Sequence, residues 1–410
     1  MSNLVLASNV QSPLLSGLVE REQADISYVM EQSYPLMSKQ IQLIPARNNP
    51  SVPVDSKEVV FDITRMSFLR DLQIQTVFTS GATAIPTTIP IGLTMFSEIN
   101  LRSANRTLMT ASDTYILGRT QCSPIAKCAA IYKRAWPLSQ TTGLPLAVTN
   151  VKLVCYTPVF NAFCERDPRN FFNLRHYESL QVAARFNTFG KMNIVFGSSF
   201  TTCECQLVVS TVDYDDKTYK LLLAKNSPME TPTQFLSYNT IKESKLCEPY
   251  VSGANPEKFT TIKVNAQYPI STLYLQLRKA VPVTGDGTMN IKSVSIRVNG
   301  VALYETIPKL VMEYEGDQAF GSVGICGDGN TAGTTVRMLP NKVLAIHFGL
   351  ETSRTFCSGA FATIGTNDVK ISILPGEDTA GDDELIYCAE YYQMLSFDNV
   401  SSSLQIYSSS

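Results

Sequence analysis

Two stretches of this chain carry the same strand pattern, and that repeat constrains the fold more than any other feature. In Phe259–Leu303, Ile262 and Val264 alternate with Lys263 and Asn265. Leu273, Leu275 and Leu277 alternate with Tyr274, Gln276 and Arg278, and Val294, Ile296 and Val298 with Ser295, Arg297 and Asn299. A period of two places one apolar face on a core and one polar face outward. Gly-Asp-Gly within Thr284–Thr288 predicts a hairpin turn between the second and third of these strands. Val59–Met109 repeats the order: Phe61, Ile63, Leu72 and Ile74 lie 201 positions before Ile262, Val264, Leu273 and Leu275. Leu101-Arg102 lies 195 positions before Ile296-Arg297, and Gln206–Tyr214 matches Glu384–Tyr392. We read a tandem duplication of one all-β unit.

A chain of 410 residues exceeds what one core usually serves, in keeping with two domains. We divide it into an arm (1–38), a first β-domain (39–216), a connector (217–254) and a second β-domain (255–410). The net charge is −2, so no global basic field exists to hold a phosphate backbone, and direct nucleic-acid binding by the folded body is not expected. The N-terminus lacks a basic region followed by a small-residue cleavage site, and no run of 18 apolar residues occurs. The ten cysteines are therefore expected as free, packed thiols. Cys122/Cys128 and Cys203/Cys205 have poor spacing for zinc, and the latter pair should share one strand face.

In the arm, Ser12-Pro13 opens a helical pattern through Leu15, Leu18, Val19, Ile26, Val29 and Met30. This helix either caps its own domain or docks on a neighbouring subunit. In the first domain, Ile41–Pro45, Glu58–Ile63, Leu69–Thr79, Lys127–Pro137, Val148–Phe160, Ser179–Phe186, Met192–Phe196 and Cys205–Val212 read as strands. Thr107–Gly118 reads as a short helix, and Tyr219–Lys225 in the connector has helical character. In the second domain, Val343–Leu350, Lys370–Leu374, Leu385–Glu390 and Ser403–Tyr407 read as later strands. Gly316–Gly333 is a long Gly-rich contact loop.

Chemistry-bearing constellations are absent from the sequence. The two histidines, His176 and His347, have no partners at metal spacing, and His347 reads as a structural residue in an apolar strand. Gly327-Asp-Gly-Asn330 lacks the Gly-Lys-Ser/Thr ending of a phosphate loop, and no Gly-x-Ser-x-Gly elbow appears. Asp378, Asp382, Asp383 and Glu384 read as a solvated turn rather than a calcium loop. Asn105 and Asn399 match glycosylation sequons that should be unused without a signal peptide. We expect no enzyme: no catalytic, cofactor-binding or metal residue is assigned, and no cofactor.

Five segments in order resemble one family. Ile63–Leu72 and Phe172–Leu180 lie in the first half; Tyr268–Arg278, Cys357–Phe361 and Ile386–Leu395, followed by Val400–Ser408, lie in the second. They resemble the conserved strand openings, turn and closing strands of double jelly-roll major capsid proteins, such as those of nucleocytoplasmic large DNA viruses, virophages and polinton-like viruses. Two departures stand out: Asn173-Leu174 replaces the usual Pro-Leu, and Gln393 an Asn. The resemblance implies two tandem jelly rolls, each an eight-stranded β-sandwich, behind a short helical arm. It implies a structural subunit that self-assembles as a pseudo-hexagonal homotrimer, tiling an icosahedral shell with neighbouring capsomers. Penton and minor capsid proteins would be partners, an internal membrane beneath the shell is allowed, and the protein would reside in the virion after assembly in the host cytoplasm or nucleus. Gly316–Gly333 and Gln121–Gly143 would form outer towers. The alternative is a tandem β-sandwich that binds a receptor or glycan, such as a minor capsid or vertex protein; the single Trp136 argues against a sugar-stacking site.

Overall fold

The computed structural model describes residues 37–48, 57–63, 68–80, 90–103, 106–123, 125–136, 138–139, 152–161, 172–173, 180–187, 200–214, 233–247, 259–264, 268–278, 288–289, 291–309, 311–312, 343–349, 359–361, 368–375, 383–398 and 403–407. The arm helix, the turn before Thr288, Met192–Phe196, Tyr219–Lys225, Gly316–Gly333, His176 and both sequon asparagines lie outside them.

The first sandwich comprises β1 (Met37–Pro45), β2 (Glu58–Ile63), β3 (Phe68–Ser80), β4 (Phe96–Ser103), β5 (Arg106–Ser112), β6 (Leu138–Ser139), β7 (Lys152–Pro158), β8 (Phe172–Asn173), β9 (Leu180–Phe186) and β10 (Phe200–Tyr214). Helices α1 (Asp113–Gln121) and α2 (Ile125–Ala135) follow β5. The second sandwich comprises β11 (Thr233–Leu246), β12 (Thr260–Lys263), β13 (Ile270–Arg278), β14 (Thr288–Met289), β15 (Ile291–Val298), β16 (Val301–Pro308), β17 (Leu344–His347), β18 (Val369–Pro375), β19 (Glu384–Asp398) and β20 (Ser403–Tyr407).

One sheet of the first sandwich runs β1-β10-β3-β7-β6 with β8 beside β3, and the other runs β2-β9-β4-β5. The second sandwich repeats both: β11-β19-β13, with β14 and β17 also on β13, and β12-β18-β15-β16. Leaving aside the short β6, β8 and β14 and the final β20, each sandwich threads eight strands. The first, eighth, third and sixth form one sheet and the second, seventh, fourth and fifth the other, which is jelly-roll connectivity. On β19, β11 occupies one edge; β13 and then β20 share the other.

The duplication extends to register. Phe61, Val182, Leu101 and Met109 stand in one row across β2, β9, β4 and β5. Ile262, Ile371, Ile296 and Tyr304 form the same row across β12, β18, β15 and β16. β1 meets β10 from Met37↔Tyr214 to Pro45↔Gln206, and β11 meets β19 in the same phase from Tyr238↔Tyr392 to Leu246↔Glu384. The third strand slips by two residues. Leu72 faces Val209, whereas Leu275, not Leu273, faces the matching Tyr387. A slip of two keeps every side chain on its face, so the sequence pattern could not register it.

The inward rows make two cores. Phe61, Leu72, Ile74, Leu153, Val182, Leu207 and Val209 anchor the first, and Ile262, Leu273, Leu275, Val294, Ile371 and Tyr387 the second. Gly92, in the turn Ile91–Leu93, lies against β7. A Cβ there would stand 2.3 Å from the Tyr156 carbonyl oxygen, a backbone atom that cannot swing away. Gly92→Ala is expected to cost about 1–3 kcal/mol. The check is a lower urea midpoint at unchanged slope.

Several expectations are corrected. Lys127–Pro137 is not a strand: α2 occupies Ile125–Ala135, with Tyr132, Ala135 and Trp136 buried and Lys127, Lys133 and Arg134 exposed. The described part of Gln121–Gly143 therefore lies on its own sandwich rather than rising as a tower. The helix expected over Thr107–Gly118 begins only at Asp113, after β5. β11 falls in the expected connector and pairs with β19 along its length. The hairpin on β13 consists of two pairs, Leu277↔Met289 and Arg278↔Thr288, after which β15 joins the opposing sheet. A tight hairpin lies at Asn299-Gly300, whose φ values of 49° and 83° join β15 to β16; Asn-Gly is the sequence signal for it. Asp383 is buried at the start of β19, where its carbonyl accepts from the Cys247 N–H at 2.7 Å, so it and Glu384 do not form a solvated turn.

Candidate functional site

The outer face of β13, of β19 over Leu385–Glu390 and of β11 at Tyr238 and Thr240 is not solvated, although the strand residues alternate polar with apolar. It is covered by α1 and the edge of β5, which together join the two sandwiches. β13 is buried at every residue but Arg278, and β19 from Leu385 to Glu390. Leu385, Tyr387 and Ala389 enter the second core, while Cys388 and Tyr274 join the first.

Ser112 caps α1, its Oγ accepting from the Tyr115 N–H at 3.2 Å and donating to Cys388 Sγ at 3.6 Å. The next residue, Asp113, is 2% exposed and carries the main charge contact. Its carboxylate takes Lys242 Nζ from β11 on one oxygen and Arg278 from β13 at 3.0 Å on the other. Thr114 Oγ1 donates to Gln276 Oε1 at 2.8 Å, and Arg278 reaches the same oxygen at 2.9 Å. Tyr115 donates its hydroxyl to Glu390 Oε2 at 2.7 Å, and Ser271 Oγ donates to Oε1 at 2.8 Å. Its ring stands edge-on to Tyr274, centroids 5.4 Å apart. Gly118 lets α1 approach, because a Cβ would lie 2.5 Å from Tyr274 Cδ1.

Beside the helix, the Thr110 N–H donates to Asn239 Oδ1 at 2.8 Å, and the Thr110 carbonyl accepts from Thr240 Oγ1. The Leu108 carbonyl accepts from Gln393 Nε2, and Gln121 Oε1 from the Val343 N–H at 3.1 Å. Buried polar groups are costly unless paired, and here the partners come from the opposite sandwich. The seam therefore specifies one relative placement of the two units.

The described cysteines are thiols, and all but Cys128 are buried. Cys203 and Cys205 share the inward face of β10 and are buried, as is Cys155 on β7. Hydrogen bonding to Cys205 and burial push the Cys203 thiol up, and burial does the same for Cys155. Burial pushes Cys388 up to about 11 and Cys247 to about 12, which keeps both in the thiol form. His347 Nδ1 lies 2.9 Å from Thr272 Oγ1. Among the described residues, no group of three His, Cys, Asp or Glu is placed to hold a metal. No described helix is long and apolar enough to cross a membrane.

Asp113, Tyr115, Lys242 and Glu390 were not singled out by the sequence reading. The signal was the unbroken apolar run Leu385–Ala389, which belongs to a strand covered on both faces.

Two eight-stranded jelly rolls fused along one seam define a double jelly roll. This chain has that fold in common with viral capsid structures. The capsid of the virus PBCV-1 superposes with a TM-score of 0.68 at 14% identity, covering 92% of this chain and 97% of that one. The Faustovirus major capsid protein gives 0.60 at 10% identity over 89% and 91%. The Sputnik virophage structure gives 0.58 at 12% identity over 92% and 90%. No family model matches the sequence, and no curated protein matches it.

Proposed function

We propose that this chain is a major capsid protein, a structural rather than catalytic subunit that assembles as a homotrimer and tiles an icosahedral shell. The carrying observation is the seam, which holds two topologically equivalent sandwiches in one fixed relation. Repeating that relation between chains places six equivalent wedges in a ring made of three subunits, and closed cyclic symmetry uses each contact three times. The superpositions on capsid structures support the reading. The protein would reside in the virion, with neighbouring capsomers and penton and minor capsid proteins as partners. The glycan-binding alternative draws no support from Trp136, which is 7% exposed and edge-on to Tyr132 at 5.6 Å.

Light scattering on purified protein is expected to give three times the monomer mass, and electron micrographs a pseudo-hexagonal outline. A stable monomer at all concentrations would sink the proposal.

A further inference from the structure

The duplication leaves half of the seam unused. The counterpart of β5 is β16, and the counterparts of β11 and β19 are β1 and β10. α1 follows β5 directly. After β16, residues Lys309, Val311 and Met312 are again helical. Within the chain, β5 and α1 cover β11 and β19. Among the described residues no such cover joins β16 to β1, and five of the six exposed large apolar residues among them lie on or just after these elements. They are Ile41 (73%) and Leu43 (57%) on β1, Val301 (72%) and Leu303 (48%) on β16, and Val311 (49%) after it.

We propose that β16 and the helical residues after it dock on the outer face of β1 and β10 of a second copy, in the register of the internal seam. The proposal rests on the homotrimer reading and specifies its contact. Ser112 faces Glu98 across β4 and β5, and Pro308 faces the equivalent Ser293 across β15 and β16. Lys309 therefore stands where Asp113 stands, and Val311 where Tyr115 stands. Tyr115 is wholly buried by the partner sandwich, whereas Val311 is half exposed. Lys242, the partner of Asp113, corresponds in pairing to Ile41, since they face the equivalent Cys388 and Ser210. The buried ion pair of the internal seam is thus replaced between chains by a lysine stem over an isoleucine, an amphipathic contact.

The edge is charge-matched. Thr110 touches Thr240 within the chain. The matching positions are Glu305, at the bulge of β16, and Lys39 on β1. Both are exposed, and Glu305 has only a loose pairing with Arg297 at 3.6 Å within its own chain. An edge of one chain on a face of the next is a head-to-tail contact, which closes as a ring of three when each copy is turned by a third of a full rotation.

Two variants test the register. Ile41→Cys with Lys309→Cys, oxidised under mild conditions, should give covalent dimers and closed trimers on a non-reducing gel, ending at three. Either single variant should give neither. Lys39→Glu or Glu305→Lys should weaken trimer association by about tenfold, and the double exchange should restore it, because like charges at a contact repel. Ile41, Lys39 and Glu305 are exposed and Lys309 is half-buried, so the charge variants should leave the melting temperature unmoved. A trimeric mass without cross-linking or charge rescue overturns this register and leaves the trimer standing; cross-linking that stops at dimers overturns the head-to-tail contact; a monomeric mass overturns both proposals.

Discussion

An Asp113→Ala chain is expected to unfold with about 3–5 kcal/mol less stability than the unaltered chain, because breaking a buried ion pair leaves its partner charge uncompensated. The Asp113 side chain is 3% exposed and lies between two cations from different strands. They are not equally trapped. Lys242 is 28% exposed and can turn its ammonium toward water, whereas Arg278 is 12% exposed and fixed between Asp113 and Gln276. Most of the loss should therefore come from Arg278. Adding Arg278→Met to Asp113→Ala should recover more stability than adding Lys242→Met, since an apolar side chain of similar length needs no counter-charge. Urea titrations of the three variants decide it. A single-variant loss below about 1 kcal/mol would mean that the triad behaves as a solvated surface pair.

Alternation carried most of the fold because sandwich cores are filled by period-two rows. Phe61, Ile262, Leu273 and Val294 were placed correctly from that alone. Where the period was not two, or the buried face was not apolar, the reading failed. In α2, Cys128, Tyr132 and Ala135 recur at helical spacing, with Lys127, Lys133 and Arg134 on the other side. β11 was passed over because few of its buried residues are aliphatic: Tyr238 joins the first core, Thr240 donates to the Thr110 carbonyl, and Ser237 is buried on the opposite face. The seam was hidden for the same reason. Tyr274, Gln276 and Arg278 read as a solvent face, and only the opposing Asp113, Thr114 and Tyr115 convert that polarity into an interface. Polar burial is a relation between two segments distant in sequence, so neither discloses it alone.

Tyr115 tests whether the seam couples the sandwiches or merely touches both. Tyr115→Phe removes one oxygen and takes from Glu390 its 2.7 Å donor. Hydrogen bonds to charged groups contribute about 1.5–3 kcal/mol, and the loss should fall in that range. Tyr115→Ala also removes the ring that stands edge-on to Tyr274 and, at 6.3 Å, to Phe160. Deleting a buried aromatic costs about 3–5 kcal/mol, and here the void opens between two units that each keep their own core. The unaltered chain should melt in one calorimetric transition, and Tyr115→Ala in two, because the lost contacts tie the first core to β13 and β19 of the second sandwich. Val209→Ala provides the control. It removes buried methyl groups inside the first sandwich and should lower stability without separating the transitions. If Tyr115→Ala lowers a single transition as Val209→Ala does, the two jelly rolls form one cooperative core and the seam is not a boundary between folding units.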